Sequence, residues 1–161
     1  MPKLYLLRHA EAGSALSGDD KDRPLTPRGQ AQALEVAKHI KDIDVCLCST
    51  AKRTQMTLDI AIENGAQVKK VEYFDELYNA PAGAILATLQ ERTERNVLIV
   101  AHNPGIHQLA DTLVSDGAKD QIEKLKLFYN PATLSIFDCT IESWQEIQPQ
   151  KNALLNLIIP D

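Results

Sequence analysis

Asn96-Val97-Leu98-Ile99-Val100-Ala101 runs straight into His102-Asn103-Pro104-Gly105. A charge-free run rich in β-branched side chains, bounded by a turn signal, reads as a strand covered on both faces. That is the place of a central strand in a parallel sheet. Lys3–His9 reads as a second strand, Val45–Cys48 as a buried third and Val68–Tyr73 as a fourth. Helical patterns fill the intervals. Thr26-Pro27 supplies a cap and a first-turn proline for Pro27–Lys41, whose Ala31, Leu34, Ala37 and Ile40 recur at helical spacing. Lys52–Asn64 ends at Asn64-Gly65, and a helix from Pro81 to about Thr93 carries Ile85, Leu86 and Leu89.

Asn103-Pro104 is expected to cap a helix through Leu109 and Leu113, and a polar helix follows Asp116-Gly117 to about Leu125. Thr133–Thr140 and Ser143–Ile147 resemble a hairpin turning near Ile141-Glu142, which puts the antiparallel strand toward the sheet edge. Strands alternating with helices predict an α/β fold, a three-layer α/β/α sandwich around a mostly parallel sheet with an antiparallel edge strand. Residues 1–161 form one domain on this expectation, since no linker, repeat or low-complexity segment interrupts them.

The composition is that of a globular protein, 44% apolar and 24% charged. No apolar stretch is long enough to cross a bilayer and no signal-peptide pattern opens the chain, so a cytoplasmic protein without membrane contact is expected. The three cysteines make no disulfide framework; alternation puts Cys46 and Cys48 on one face as core filling. A net charge of −5 argues against nucleic acid as a partner. The mixed cluster Asp19-Asp20-Lys21-Asp22-Arg23 reads as a solvated loop, and no coiled-coil or apolar stripe argues against a monomer.

In such sheets ligands bind beyond the carboxyl ends of the strands. The strand from Lys3 ends at Arg8-His9, the strand from Val45 at Ser49 with Arg53 four residues on, and the strand from Asn96 at Ala101-His102. Two guanidinium groups and two imidazoles at one sheet edge suit a tetrahedral phosphoryl group, with one imidazole attacking in line. A metal is disfavoured because the guanidinium groups repel a divalent cation and no His-x-His or His-Glu-x-x-His pattern occurs. His39 and His107 read as helix-surface or dipole-complementing residues.

Four segments carry a family resemblance in order along nearly the whole chain: Leu7-Arg8-His9-Ala10-Glu11, Leu25–Ala31, Ser49–Thr57 and Val100–Pro104. Together they resemble the histidine phosphatase superfamily, with its phosphoglycerate mutase-like fold. The short, insertion-poor chain looks most like the SixA-type phosphohistidine phosphatases. The resemblance implies a cofactor-free phosphatase working through a covalent phosphohistidine. His9 is then the nucleophile, and Arg8, Arg53 and His102 hold the phosphoryl group. Glu76, or its neighbour Asp75, is the candidate general acid, because Asn103 stands where larger acid phosphatases carry an aspartate. Ala10 replaces the family's glycine, which the turn tolerates unless it needs a positive φ. Arg23 and Arg28 are candidates to read a second charged group of the substrate. The phosphate-bearing substrate is expected to be a phosphohistidine protein domain. A small phosphate ester, a mutase-like reaction and a non-catalytic phosphate-binding module remain as alternatives.

Overall fold

The computed structural model describes all residues, Met1–Asp161. In chain order the elements are β1 (Lys3–Arg8), α1 (Pro27–Ala37), β2 (Val45–Ser49), α2 (Lys52–Glu63), β3 (Val71–Phe74), α3 (Ala82–Gln90), β4 (Val97–Ala101), α4 (Gly105–Leu113), β5 (Val114–Gly117), α5 (Lys119–Leu127), β6 (Leu134–Cys139) and β7 (Asn152–Ile158). The seven strands form one sheet in the order β3-β2-β4-β1-β6-β7-β5. Strands β3, β2, β4 and β1 run parallel, and β6 is antiparallel to both its neighbours.

Alternation along β4 sorts its side chains between two cores. Val97, Ile99 and Ala101 join one apolar cluster and Leu98 and Val100 the other. The first cluster takes Ile85 and Leu89 of α3, Leu109 and Leu113 of α4, and Leu125 of α5. The second takes Val36 and Ala37 of α1 and Leu58 and Ala61 of α2, together with Cys46 and Cys48 on the same strand face. The three layers are therefore α1 and α2, the sheet, then α3 to α5. No helix is long and apolar enough to cross a membrane.

The C-terminal hairpin differs from the expectation. Ser143–Ile147 is not a strand: Trp144–Glu146 forms a 3-10 turn. Trp144 and Ile147, both buried, follow turn spacing rather than strand alternation, and the Trp144 indole N–H donates to the Glu94 carbonyl at 2.7 Å. The returning strand is β7, and β5 pairs beyond it, so β6 lies inside the sheet and not at its edge. β5, Val-Ser-Asp-Gly, has three exposed residues out of four and no apolar pattern to announce it. Helix α1 stops at Ala37, short of the expected Lys41, and α3 at Gln90.

Two glycines allow the backbone to close around the sheet's carboxyl edge. A Cβ at Gly29 would run into the Glu11 carbonyl, and one at Gly105 into the Ala80 carbonyl. At Gly29 the contact straps the segment after β1 to the start of α1, where Thr26 Oγ1 accepts the Gly29 N–H at 3.0 Å and caps the helix as its sequence predicts. Gly105→Ala is expected to destabilise the fold by about 1–3 kcal/mol, because the obstructing atoms are backbone. A lowered urea midpoint with an unchanged slope is the readout; an unchanged midpoint would mean that the close approach is not needed.

Candidate active site

Parallel register brings the three strand ends to one level. Arg8 pairs with Ala101 and Cys48 with Val100, so β4 stands between β1 and β2 with all three finishing together. The His9 N–H donates to the Ala101 carbonyl at 3.1 Å, extending the β1–β4 ladder one residue and holding His9 beside His102. Their ring centroids are 5.2 Å apart, and the Tyr78 ring meets His102 edge-on at 5.7 Å.

His9 is 8% exposed and has one ring hydrogen bond, between Nδ1 and the Ala10 carbonyl at 2.7 Å. A carbonyl only accepts, so Nδ1 carries the hydrogen and the Nε2 lone pair is free. Burial, followed by the Arg53, Arg8 and Arg23 charges, holds the His9 pKa down to about 4 against the Ala10 bond that favours the cation. The ring is neutral at pH 7, with an unprotonated Nε2. Ala10, in the family's glycine position, is not among the residues with positive φ, so the turn accepts its methyl group. Its N–H donates to Thr57 Oγ1 at 3.0 Å, and that hydroxyl donates to the Arg53 carbonyl at 2.7 Å, tying the turn to α2.

His102 is set by a different relay. Ser49 Oγ accepts the Ala51 N–H at 3.3 Å, and its own hydrogen has an acceptor only if it donates to His102 Nε2, 2.8 Å away. The hydrogen of the neutral ring then sits on Nδ1, a buried atom without a partner. Burial and the facing His9 and Arg53 hold its pKa down to about 3. Ser49→Ala is expected to lower kcat/KM by about 10- to 100-fold, by releasing the tautomer without touching substrate. Steady-state kinetics check this; wild-type rates in the variant would remove Ser49 from the account.

Both histidines resist protonation in the folded chain more than in the unfolded one. Between pH 6.5 and about 4 for His9, or about 3 for His102, the unfolded chain binds protons that the folded chain refuses. Their contribution to stability is therefore complete above pH 6.5 and is lost as pH falls through that window. The urea midpoint is expected to fall across it, and less steeply in a His9→Asn, His102→Asn double variant. Equal slopes would contradict the depressed pKa values.

Arg8 and Arg53 present the same pattern of used and unused donors. Arg8 Nη1 donates to the Tyr129 carbonyl at 3.0 Å, and its buried Nε has no partner. Arg53, 3% exposed, donates from Nη1 to the Asp20 carbonyl oxygen at 2.8 Å. Its Nη2 donates to Asp20 Oδ2 at 3.1 Å and to Asn79 Oδ1 at 3.3 Å, and its buried Nε is likewise unpartnered. Buried N–H groups are rarely left unpaired. Here three of them lie on Arg8, Arg53 and His102, the side chains whose rings or charges act on His9. Such a donor set suits a tetrahedral oxyanion.

The other candidates fall differently. Arg23 sits close enough for its charge to depress the His9 pKa, and it donates from Nε to the Gly13 carbonyl and from Nη1 to Asp20 Oδ1. Arg28 is exposed and pairs with Glu11 Oε2 at 3.5 Å, on α1. Glu76 is exposed, and no hydrogen bond or ion pair joins it to Arg8, His9, Arg53 or His102. Asp75 is turned to Thr50 and Lys21, which hold its carboxyl below the usual carboxylate range.

Several features correct the sequence expectation. The Asn103 side chain does not cap α4; it donates to the Tyr129 carbonyl at 3.0 Å, the acceptor it shares with Arg8. His107 is no plain surface residue: Nε2 bonds the Leu125 carbonyl at 2.7 Å, and the ring stacks on Tyr129. The Asp19–Arg23 cluster is not merely a solvated loop, because its 3-10 turn Asp20–Asp22 delivers Asp20 to Arg53. Asp20, Ser49, Tyr78 and Asn79 are the site neighbours that sequence reasoning missed. Only Ser49 carried a signal, as a hydroxyl at the end of a buried strand.

The chain is similar to known proteins in sequence and in fold. Residues 4–82 match the model of the histidine phosphatase superfamily (branch 1). A structure assigned as phosphohistidine phosphatase SixA from Nakamurella multipartitia is 32% identical, with a TM-score of 0.82 over 99% of this chain and 96% of that one. A second assigned the same way, from Agrobacterium tumefaciens, is 27% identical with a TM-score of 0.78 over 99% of both chains. An uncharacterized protein of Mycobacterium tuberculosis is 29% identical over 163 aligned residues, covering 96% of this chain and 99% of its own. The chain belongs to the histidine phosphatase superfamily. Its fold is the phosphoglycerate mutase-like sandwich.

Proposed function

We propose that the protein is a phosphatase of SixA type that removes phosphoryl groups from phosphohistidine in proteins, through a phosphoenzyme on His9. One observation carries the proposal: a neutral imidazole whose Nε2 is freed by the Ala10 bond, among the unpartnered N–H groups of Arg8, Arg53 and His102. His9 Nε2 forms a bond to phosphorus as the bond to the leaving nitrogen breaks. The leaving imidazole, protonated on its other nitrogen, departs neutral. Arg8, Arg53 and His102 take up charge on the equatorial oxygens. Water then attacks phosphorus, the Nε2–P bond breaks, and both protons of the water leave on inorganic phosphate. His9 returns with its hydrogen still on Nδ1, so the Ala10 bond persists through both steps.

The carboxylates favour a nitrogen leaving group. Glu76 is exposed and makes no hydrogen bond or ion pair with the four residues, and Asp75 is ionised and committed to Thr50 and Lys21. A P–N bond to a protonated imidazole needs no acid, whereas an alkoxide does. With a phosphorylated histidine phosphotransfer domain and small alkyl phosphate esters at matched concentrations, we expect kcat/KM higher on the protein by about 100-fold or more, the size of a missing general-acid contribution. Faster turnover of the esters would overturn the choice of substrate. Tight binding of the phosphorylated domain with no phosphate released would indicate a binding module instead.

A further inference from the structure

We propose that Asp20 is a positioning residue for catalysis, acting through Arg53 by turning the guanidinium so that its Nε edge faces His9; the proposal rests on the phosphatase reading above. Asp20 comes from the segment between β1 and α1, far from α2 in sequence, yet it takes both terminal nitrogens of a nearly buried arginine. Its main-chain oxygen accepts from Arg53 Nη1 at 2.8 Å and its Oδ2 from Nη2 at 3.1 Å. Two acceptors on one residue fix the plane of a guanidinium as well as its location. The carboxylate is itself locked, with the Tyr78 hydroxyl donating to Oδ2 and Arg23 Nη1 donating to Oδ1 at 3.1 Å. These donors, the Tyr78 hydroxyl foremost, hold the Asp20 carboxyl far below the usual carboxylate range, so the clamp is charged at every working pH.

Asp20 could instead be an internal anion standing where phosphate binds. The donor pattern argues against that. With Asp20 in place, the Nε groups of Arg8 and Arg53 and Nδ1 of His102 are still unpartnered. Asp20 takes the terminal nitrogens of Arg53 and leaves Nε without a partner, so an anion bound at Nε need not displace it. Asn79 supports the same edge, accepting from Nη2 at 3.3 Å in a left-handed conformation, φ 49°, that asparagine tolerates.

A double-mutant cycle tests this, with kcat/KM on para-nitrophenyl phosphate and tungstate affinity by calorimetry for Asp20→Ala, Asp20→Asn, Arg53→Ala and the Asp20→Ala, Arg53→Ala double variant. Asp20→Ala is expected to lower kcat/KM by about 10-fold or more and to weaken tungstate binding, and to change either by less than about 2-fold once Arg53 is alanine. Asp20→Asn keeps an oxygen for Arg53 and Tyr78 and is expected to stay within about 3-fold of wild type. Should the alanine variant not fold, Asp20→Ser, too short to reach Nη2, takes its place. Equal losses for asparagine and alanine, or a loss that persists without Arg53, would overturn the proposal. So would tighter tungstate binding in both backgrounds, the mark of a mere repelling charge. If wild type turns over no phosphate ester or phosphohistidine at all, the phosphatase reading fails, and the tungstate arm still decides the role of Asp20.

Discussion

His9→Asn is expected to abolish turnover, lowering kcat by at least about ten-thousand-fold, because asparagine offers no lone pair that can bond phosphorus. The loss should fall on chemistry and not on binding. Arg8, Arg53 and His102 are anchored independently of the His9 ring, through Tyr129, Asp20 and Ser49. Tungstate affinity in the variant is therefore expected to stay within about fivefold of wild type. Substantial residual hydrolysis by His9→Asn would mean that water attacks the substrate directly, and the two-step scheme would fall with it. Lost tungstate binding would mean that the imidazole holds the cradle together.

Arg53→Lys has the next largest expected effect, about 100- to 1000-fold on kcat/KM. The change preserves the charge, so a site needing only a cation would lose little. The present geometry needs more than a cation. Arg53 spends its terminal nitrogens on Asp20 and Asn79 and has a buried Nε–H without a partner, the donor that the proposed reaction assigns to the phosphoryl oxygens. A lysine has one nitrogen and cannot satisfy both edges. Its ammonium would be drawn to Asp20, away from His9. Since transferring oxygens gain charge in the transition state, the fall is expected mainly in kcat, with KM changed by less than about tenfold. A lysine variant with near wild-type kcat would reduce Arg53 to an electrostatic role.

Much of the molecule was legible because its strongest signals are local. Asn96–Ala101 is charge-free and β-branched, and it is the central strand β4, covered on both faces. Thr26 caps α1 with its own hydroxyl, and Gly65, at φ 108°, ends α2. Arg8, His9, Arg53 and His102 could be placed at one edge because they sit at fixed offsets from strand ends that parallel pairing brings level. What escaped depends on distant chain. Asp20 looked like one charge among five in a polar loop, and only closure of that loop over α2 makes it the partner of Arg53. The second strand of the hairpin was misplaced because Trp144 and Ile147 mimic a short apolar strand while burying themselves from a 3-10 turn. Asn103 carries a strong capping signature, and a carbonyl 26 residues away competes for its amide.

The whole mechanism turns on His9 taking the phosphoryl group on Nε2. The direct measurement is to trap the phosphoenzyme with a phosphorylated histidine domain or a generic phosphoryl donor, quench it in base, and assign the adduct by phosphorus–nitrogen coupling in NMR and by peptide mapping. A single acid-labile adduct is expected at His9, with phosphorus on Nε2 and the hydrogen retained on Nδ1. Phosphorus on Nδ1, an adduct on His102, or no adduct during measurable turnover would contradict it.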